Sequence, residues 1–259
     1  MTTADPIRIA LLVTGQLSQP IAHRTGQYPD VFKKWLETAA EQIGCHIEMN
    51  AYDVKNEGVY PSDEDLRSYD AIMMTGSAAS AYDDIPWIKT LIAFVQDSMK
   101  KHSHLKTVGI CFGHQVLALA FGGQVEKNPL GWEIGIRENE LAEPKHKYLQ
   151  FENKIMKLHQ MHQDHVTVAP PGFTVLASNN ISPIHAMISS DSRCISVQGH
   201  PEFRRDISEG LINERMQKGL FSSEFAEEGL RTLDKQDDGI LLGENILRFI
   251  SERHSLIMN

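Results

Sequence analysis

TVGICFGHQ, Thr107 to Gln115, is the stretch from which the fold can be read. Thr107 to Cys111 is a short, largely apolar run of the kind that forms a buried strand. It passes without a linker into His114 to Phe121, which has the spacing of a short helix stopped by Gly122 and Gly123. A strand that turns straight into a helix lifts the turn side chain above the sheet. Flanking Gly109 and Gly113 allow the tight backbone and close approach of a substrate. The turn residue is Cys111, placed where the positive end of a helix dipole favours thiolate over thiol. Cys111 therefore reads as a nucleophile rather than a structural thiol.

Working outward, strand and helix signals alternate. Ile7 to Thr14 is a buried strand, and Pro29 to Gly44 has helical spacing through Val31, Phe32, Trp35, Leu36 and Ala39. Ile47 to Val54 and Ala71 to Thr75 are further strands, and Trp87 to Met99 is a helix with Pro86 at its first turn. This order predicts an α/β three-layer sandwich around a central, mostly parallel, flavodoxin-like sheet. From Gln124 to about Gly199 the signals shorten to Trp132–Arg137, Val166–Ala169, Phe173–Ala177, His185–Ile188 and Ile195–Gln198. These are read as a small antiparallel addition plus the remaining parallel strands. Ile207–Lys218, Ser222–Leu233 and Gly239–His254 form a helical C-terminal extension. The expectation is a single domain over residues 1–259, with a core at about 7–203 and C-terminal helices at about 206–254.

With 259 residues, 41% hydrophobic and 23% charged, the chain can bury a sizeable core. A net charge of −9 and no basic run argue against nucleic acid or an anionic membrane as partner. The N-terminus lacks a basic leader, and its apolar stretch is too short to span a bilayer. Cys45, Cys111 and Cys194 are an odd count without framework spacing, so free thiols in the cytoplasm or nucleus are expected.

A nucleophilic cysteine needs a base and a group that orients the base. VQGHPEF, Val197 to Phe203, supplies both. The apolar run Cys194 to Val197 delivers His200 at a strand end, on the sheet edge expected for Cys111. Residues two apart in an extended stretch share a side, so Glu202 can reach the imidazole and stabilise its charged form.

GICFGHQ and QGHPEF together resemble the paired motifs of class I, triad-type glutamine amidotransferase domains, especially the GMP-synthase-like branch. That resemblance implies Cys111 as nucleophile, His200 as general base and Glu202 as its orienter, acting through a γ-glutamyl thioester. It also implies that the amides of Gly76 and Phe112 form an oxyanion hole, and that Gln115 holds the amino-acid end of the substrate. MMTGSAAS, Met73 to Ser80, is similar to the family's glycine loop. HQMHQDHV, His159 to Val166, lines up with its Ser-His-Gly-Asp loop and makes His162 and Gln163 substrate-side residues. In that loop serine is replaced by Met161 and glycine by Gln163, and in the glycine loop Ser77 replaces a second glycine. Both changes add side chain where the family lets backbone meet free glutamine.

The histidines of this stretch are read as a polar loop and no metal site is expected, because the spacing lacks a cysteine pair or second carboxylate. No cofactor is expected either. Gly15 to Tyr28 reads as a solvated loop, and Trp132 as a core aromatic. YPDVFKKWL, SAYDD and PWIKTL extend the likeness to a stand-alone subgroup that includes plant γ-glutamyl peptidases. No Ser-Gly-Gly-x-Asp-Ser nucleotide loop is present. Three functions fit: hydrolysis of a small-molecule γ-glutamyl substrate, a glutaminase subunit feeding a separate synthase partner, or a non-catalytic binding protein.

Overall fold

The computed structural model describes residues 5–143 and 146–252. Five parallel strands form one half of its main sheet: β1 (Ile7–Val13), β2 (Ile47–Asp53), β3 (Ala71–Met74), β4 (Lys106–Ile110) and β11 (Cys194–Val197), in the order β2-β1-β3-β4-β11. This 2-1-3-4-5 arrangement is the flavodoxin-like order. Side chains along these strands alternate between two cores. Ile9, Leu11, Ala71, Met73, Val108 and Ile110 face one layer of helices. Ala10, Leu12, Ile72 and Met74 face the other. A sheet covered on both sides explains why the inner strand β3 and most of β1 are apolar on both faces, while the edge strand β2 alternates with exposed polar residues.

The first layer contains α1 (Gln19–Thr25), α2 (Tyr28–Ile43), α6 (Arg205–Gln217), α7 (Ser223–Thr232) and α8 (Gly239–Ser251); the second contains α3 (Asp63–Leu66), α4 (Pro86–Lys101) and α5 (Phe112–Ala120). The helical extension is built into the body of the protein. Gly243 of α8 approaches α2 so closely that a methyl group there would lie 2.8 Å from Ala39 Cβ. Trp35 Nε1 donates to the Gly239 carbonyl at 2.8 Å. At the far end Phe249 is fully buried. The Lys106 ammonium sits 4.4 Å from the Phe249 ring centroid. No helix among the described residues is long and apolar enough to cross a membrane.

The antiparallel part is larger than the sequence indicates. β6 (Glu133–Leu141), β7 (Ile155–His162), β9 (Phe173–Ser178) and β10 (Ala186–Ser189) extend the main sheet to nine strands. β5 (Gln124–Lys127) and β8 (Asp164–Val168) form a separate ribbon over α5. The His159–Val166 loop reading is corrected here: those residues are the end of β7, a turn at Gln163 and the start of β8. β7 pairs with β6 from Ile155 opposite Glu140 to His162 opposite Glu133, and ladder bonds and burial override the polar pattern. The solvated loop at Gly15–Tyr28 likewise contains α1, which buries Ile21. Residues 253 and 254 of the expected last helix lie outside the described residues.

Candidate active site

Cys111 occupies the break between β4 and α5 with φ 53° and ψ −102°. A non-glycine residue is held at such angles only when its surroundings over-determine them. Here the Cys111 amide donates to the Val197 carbonyl of β11 at 2.9 Å. A methyl group on Gly109 would stand 2.4 Å from the Gly113 carbonyl oxygen, and one on Gly113 would stand 2.7 Å from Met74 Cβ. The elbow closes only because both residues are glycine. The Phe112 amide belongs to the first turn of α5, where N–H groups have no partner within the helix.

β11 runs parallel to β4 with Val197 opposite Ile110, so the chain continuing through Gln198 and Gly199 brings His200 beside the elbow. Three contacts fix the imidazole. The His200 amide donates to the His159 carbonyl at 2.8 Å. Nδ1 pairs with Glu202 Oε1 at 2.8 Å. The ring stacks on Phe203 with centroids 3.9 Å apart and planes within 6°. Burial opposes an imidazolium here, but the charges and hydrogen bonds of Cys111 and Glu202 outweigh it and push His200 from 6.5 up to about 10.

Gly76 follows β3 at the same sheet edge. Thr14 Oγ1 donates to its carbonyl at 3.0 Å, which fixes the orientation of the glycine loop. Ser77 and Ala78 of that loop line a pocket of about 230 Å³ together with Cys111, Phe112, His162 and Gln163. Gln115 also lines it, but its Nε2 is already used, donating to the Asp164 carbonyl at 3.0 Å and to Gln198 Oε1 at 3.2 Å. Asp164 itself is tied to the glycine-loop side by Ser80 Oγ at 2.5 Å and the Tyr82 hydroxyl at 3.1 Å. The expected site residues therefore converge on one edge, with Gln115 acting on the pocket wall as much as on its space.

Several residues here carried no assignment in the sequence reading. Gln198 is buried and its Nε2 lies 3.6 Å from Cys111 Sγ, so it links the thiol to Gln115. Tyr28 is buried near the pair, and burial first, then the negative charge of Glu202 and Cys111, raises its phenol above the ordinary range. Arg215 comes from α6, and its guanidinium lies 5.6 Å from the Trp132 ring centroid. Trp132 is partly buried against the core, packing edge-on to Phe221, and it also lines the pocket. Among the described residues Arg215 has no hydrogen-bonded or ion-paired carboxylate; burial lowers its pKa, while Tyr28, Cys111 and Glu214 pull the other way. Gln198 was visible in the same motif as His200. Arg215 had no local signal, because only packing brings α6 over the elbow.

This is an amidotransferase-type α/β sandwich with a cysteine at its elbow. Residues 28–214 match the family described as glutamine amidotransferase class-I, and the chain belongs to that family. It is 34% identical over 247 residues to a glutamine amidotransferase-like protein of Schizosaccharomyces pombe, covering 94% of this chain and 98% of that one. It is 31% identical over 193 residues to gamma-glutamyl peptidase 3 of Arabidopsis thaliana, covering 71% and 76%. A solved glutamine amidotransferase of Thermotoga maritima shares the fold with a TM-score of 0.72 at 17% identity, covering 96% of this chain and all of that one.

Proposed function

We propose that the protein hydrolyses the γ-glutamyl amide bond of a γ-glutamyl peptide or conjugate, with Cys111, His200 and Glu202 as its catalytic triad. His200 carries the proton at Nε2, with Nδ1 held by Glu202, while Cys111 Sγ attacks the γ-carbonyl carbon. The Phe112 and Gly76 amides receive the oxyanion. The C–N bond then breaks, His200 returns the proton to the leaving amine, and a γ-glutamyl thioester remains. Water attacks the thioester with His200 as base, releasing glutamate and the thiol.

The observation that carries the choice of substrate is the space beside His200. A second cavity of about 160 Å³ is lined by His200, Tyr28 and Leu17. It shares Ser77, Ala78, Met161 and Arg215 with the pocket at Cys111. Ammonia leaving from glutamine needs no such room, whereas a peptide amine does. Lys127 and Arg215 both line the larger pocket, and two cations suit a substrate with a carboxylate at each end. Likeness to the Arabidopsis peptidase supports the same reading. The three free cysteines fit a reducing compartment, and we assign the protein to the cytoplasm.

The test offers purified protein γ-glutamyl dipeptides, glutathione S-conjugates and glutamine, with Cys111→Ala as control. Turnover of peptides with accumulation of a Cys111-linked γ-glutamyl adduct is expected. Turnover of glutamine alone, dependent on added cell extract, would overturn it in favour of an ammonia-supplying subunit. Binding without turnover of any of them would leave a non-catalytic scaffold.

A further inference from the structure

Beside this pocket, three buried side chains from separate parts of the chain point their heteroatoms at one spot. Glu133 opens β6, His162 ends β7 and His185 precedes β10. One ligand atom from each lies within 4.8 Å of the other two. We propose that Glu133, His162 and His185 bind a zinc ion.

The hydrogen bonds of His162 leave one of its ring nitrogens without a partner. His162 Nδ1 lies 3.1 Å from the Asp164 carbonyl, which only accepts, so Nδ1 carries the proton and Nε2 presents its lone pair. That Nε2 is buried, has no hydrogen-bond partner and faces Glu133 Oε1 at 3.6 Å. No donor reaches that lone pair, although Glu133 Oε1 beside it accepts from Ser182 Oγ and His185 Nε2. A divalent cation supplies the missing partner of Nε2 and also offsets the buried carboxylate charge.

The spacing fits zinc. Bonds of roughly 2.0–2.2 Å in a tetrahedral shell put neighbouring ligand atoms about 3.4 Å apart. Glu133 Oε1 lies 3.1 Å from His185 Nε2 and 3.6 Å from His162 Nε2, on either side of that value. His185 Nδ1 has no partner, so on metal binding the ring proton moves from Nε2 to Nδ1 and none is lost. Supporting contacts are in place: Ser182 Oγ donates to Glu133 Oε1 at 2.6 Å and Asn179 Nδ2 to Oε2 at 2.7 Å. Two imidazoles and one carboxylate favour zinc over calcium or magnesium, which take oxygen shells. His162 lines the pocket at Cys111 and so offers an entry path.

The test uses full-length Cys111→Ala protein, so that the reactive thiol cannot hold the metal. After chelation, zinc is titrated against a chromophoric chelator and cobalt(II) spectra are recorded. One zinc per chain, a raised melting temperature with zinc, and at least roughly 100-fold weaker binding in His162→Gln and Glu133→Gln are expected. If Glu133→Gln does not fold, His162→Gln and the zinc-dependent melt of the parent still decide. Failure of the Cys111→Ala protein to bind stoichiometric zinc, or undiminished binding in His162→Gln, would overturn the proposal.

Discussion

A methyl group placed on Gly76 would stand 2.8 Å from Cε1 of His200, well inside van der Waals contact. The glycine loop after β3 and the imidazole after β11 are therefore packed backbone against ring, and the position of one fixes the other. Gly76→Ala must displace the imidazole or the loop, and the ring is already clamped between Phe203 and Glu202. We expect kcat on γ-glutamyl substrates to fall by roughly 10²-fold or more, since one displaced oxyanion donor alone costs that much. Steady-state kinetics with a parallel melting curve checks it; unchanged kcat would remove Gly76 from the oxyanion hole.

The pH response of the pair has a definite sign. His200 is raised from 6.5 to about 10, so the stability its charged form contributes is present below 6.5 and is lost as pH climbs through about 10. Glu202→Gln removes one of the influences that raise it. The alkaline limb of the kcat profile should then move to lower pH, and kcat should drop by between roughly 10² and 10⁴-fold. A profile whose alkaline limb stays in place would show that Glu202 does not govern the proton on His200.

Arg215 stands between the two cavities with no carboxylate partner among the described residues. If it receives the carboxylate of a peptide leaving group, Arg215→Ala should raise KM for γ-glutamyl dipeptides by roughly 10–100-fold, the worth of a charged hydrogen bond. Glutamine, which lacks that carboxylate, should be affected much less. Arg215→Lys should recover only part, because an ammonium cannot make the forked contact. Equal losses on both substrates would assign Arg215 to the γ-glutamyl end instead.

Phe249 tests whether the tail belongs to the folding unit. Its ring is fully buried on α8, edge-on to Tyr148 at 5.1 Å, and its carbonyl accepts from Lys106 Nζ at 2.5 Å at the start of β4. Phe249→Ala should cost about 3–5 kcal/mol. We expect one cooperative transition at lower temperature, read by calorimetry. A separate early transition would make the C-terminal helices an independent unit.

The parallel half of the fold was legible in the sequence because each of its elements carries a local cause. Apolar runs such as Ile7–Val13 mark strands buried on both faces, and Gly109 and Gly113 mark a turn that no side chain would permit. The elbow and the His-x-Glu step are likewise local geometry, so Cys111, His200 and Glu202 could be proposed from spacing alone. β7 was missed because its buried residues include His159, Gln160 and His162, which look like a polar loop until the ladder with β6 is seen.

What only tertiary structure decided are the relationships between distant segments. Cys111 and His200 meet because β4 and β11 are hydrogen-bonded neighbours, although 89 positions apart in number. Arg215 and Trp132 stack because α6 packs over β6, and Glu133, His162 and His185 converge because three elements end at one place. Local sequence sets dihedral preference and periodicity over a few residues. Which charge faces which lone pair is set by packing of the whole chain, and no short window of sequence contains it.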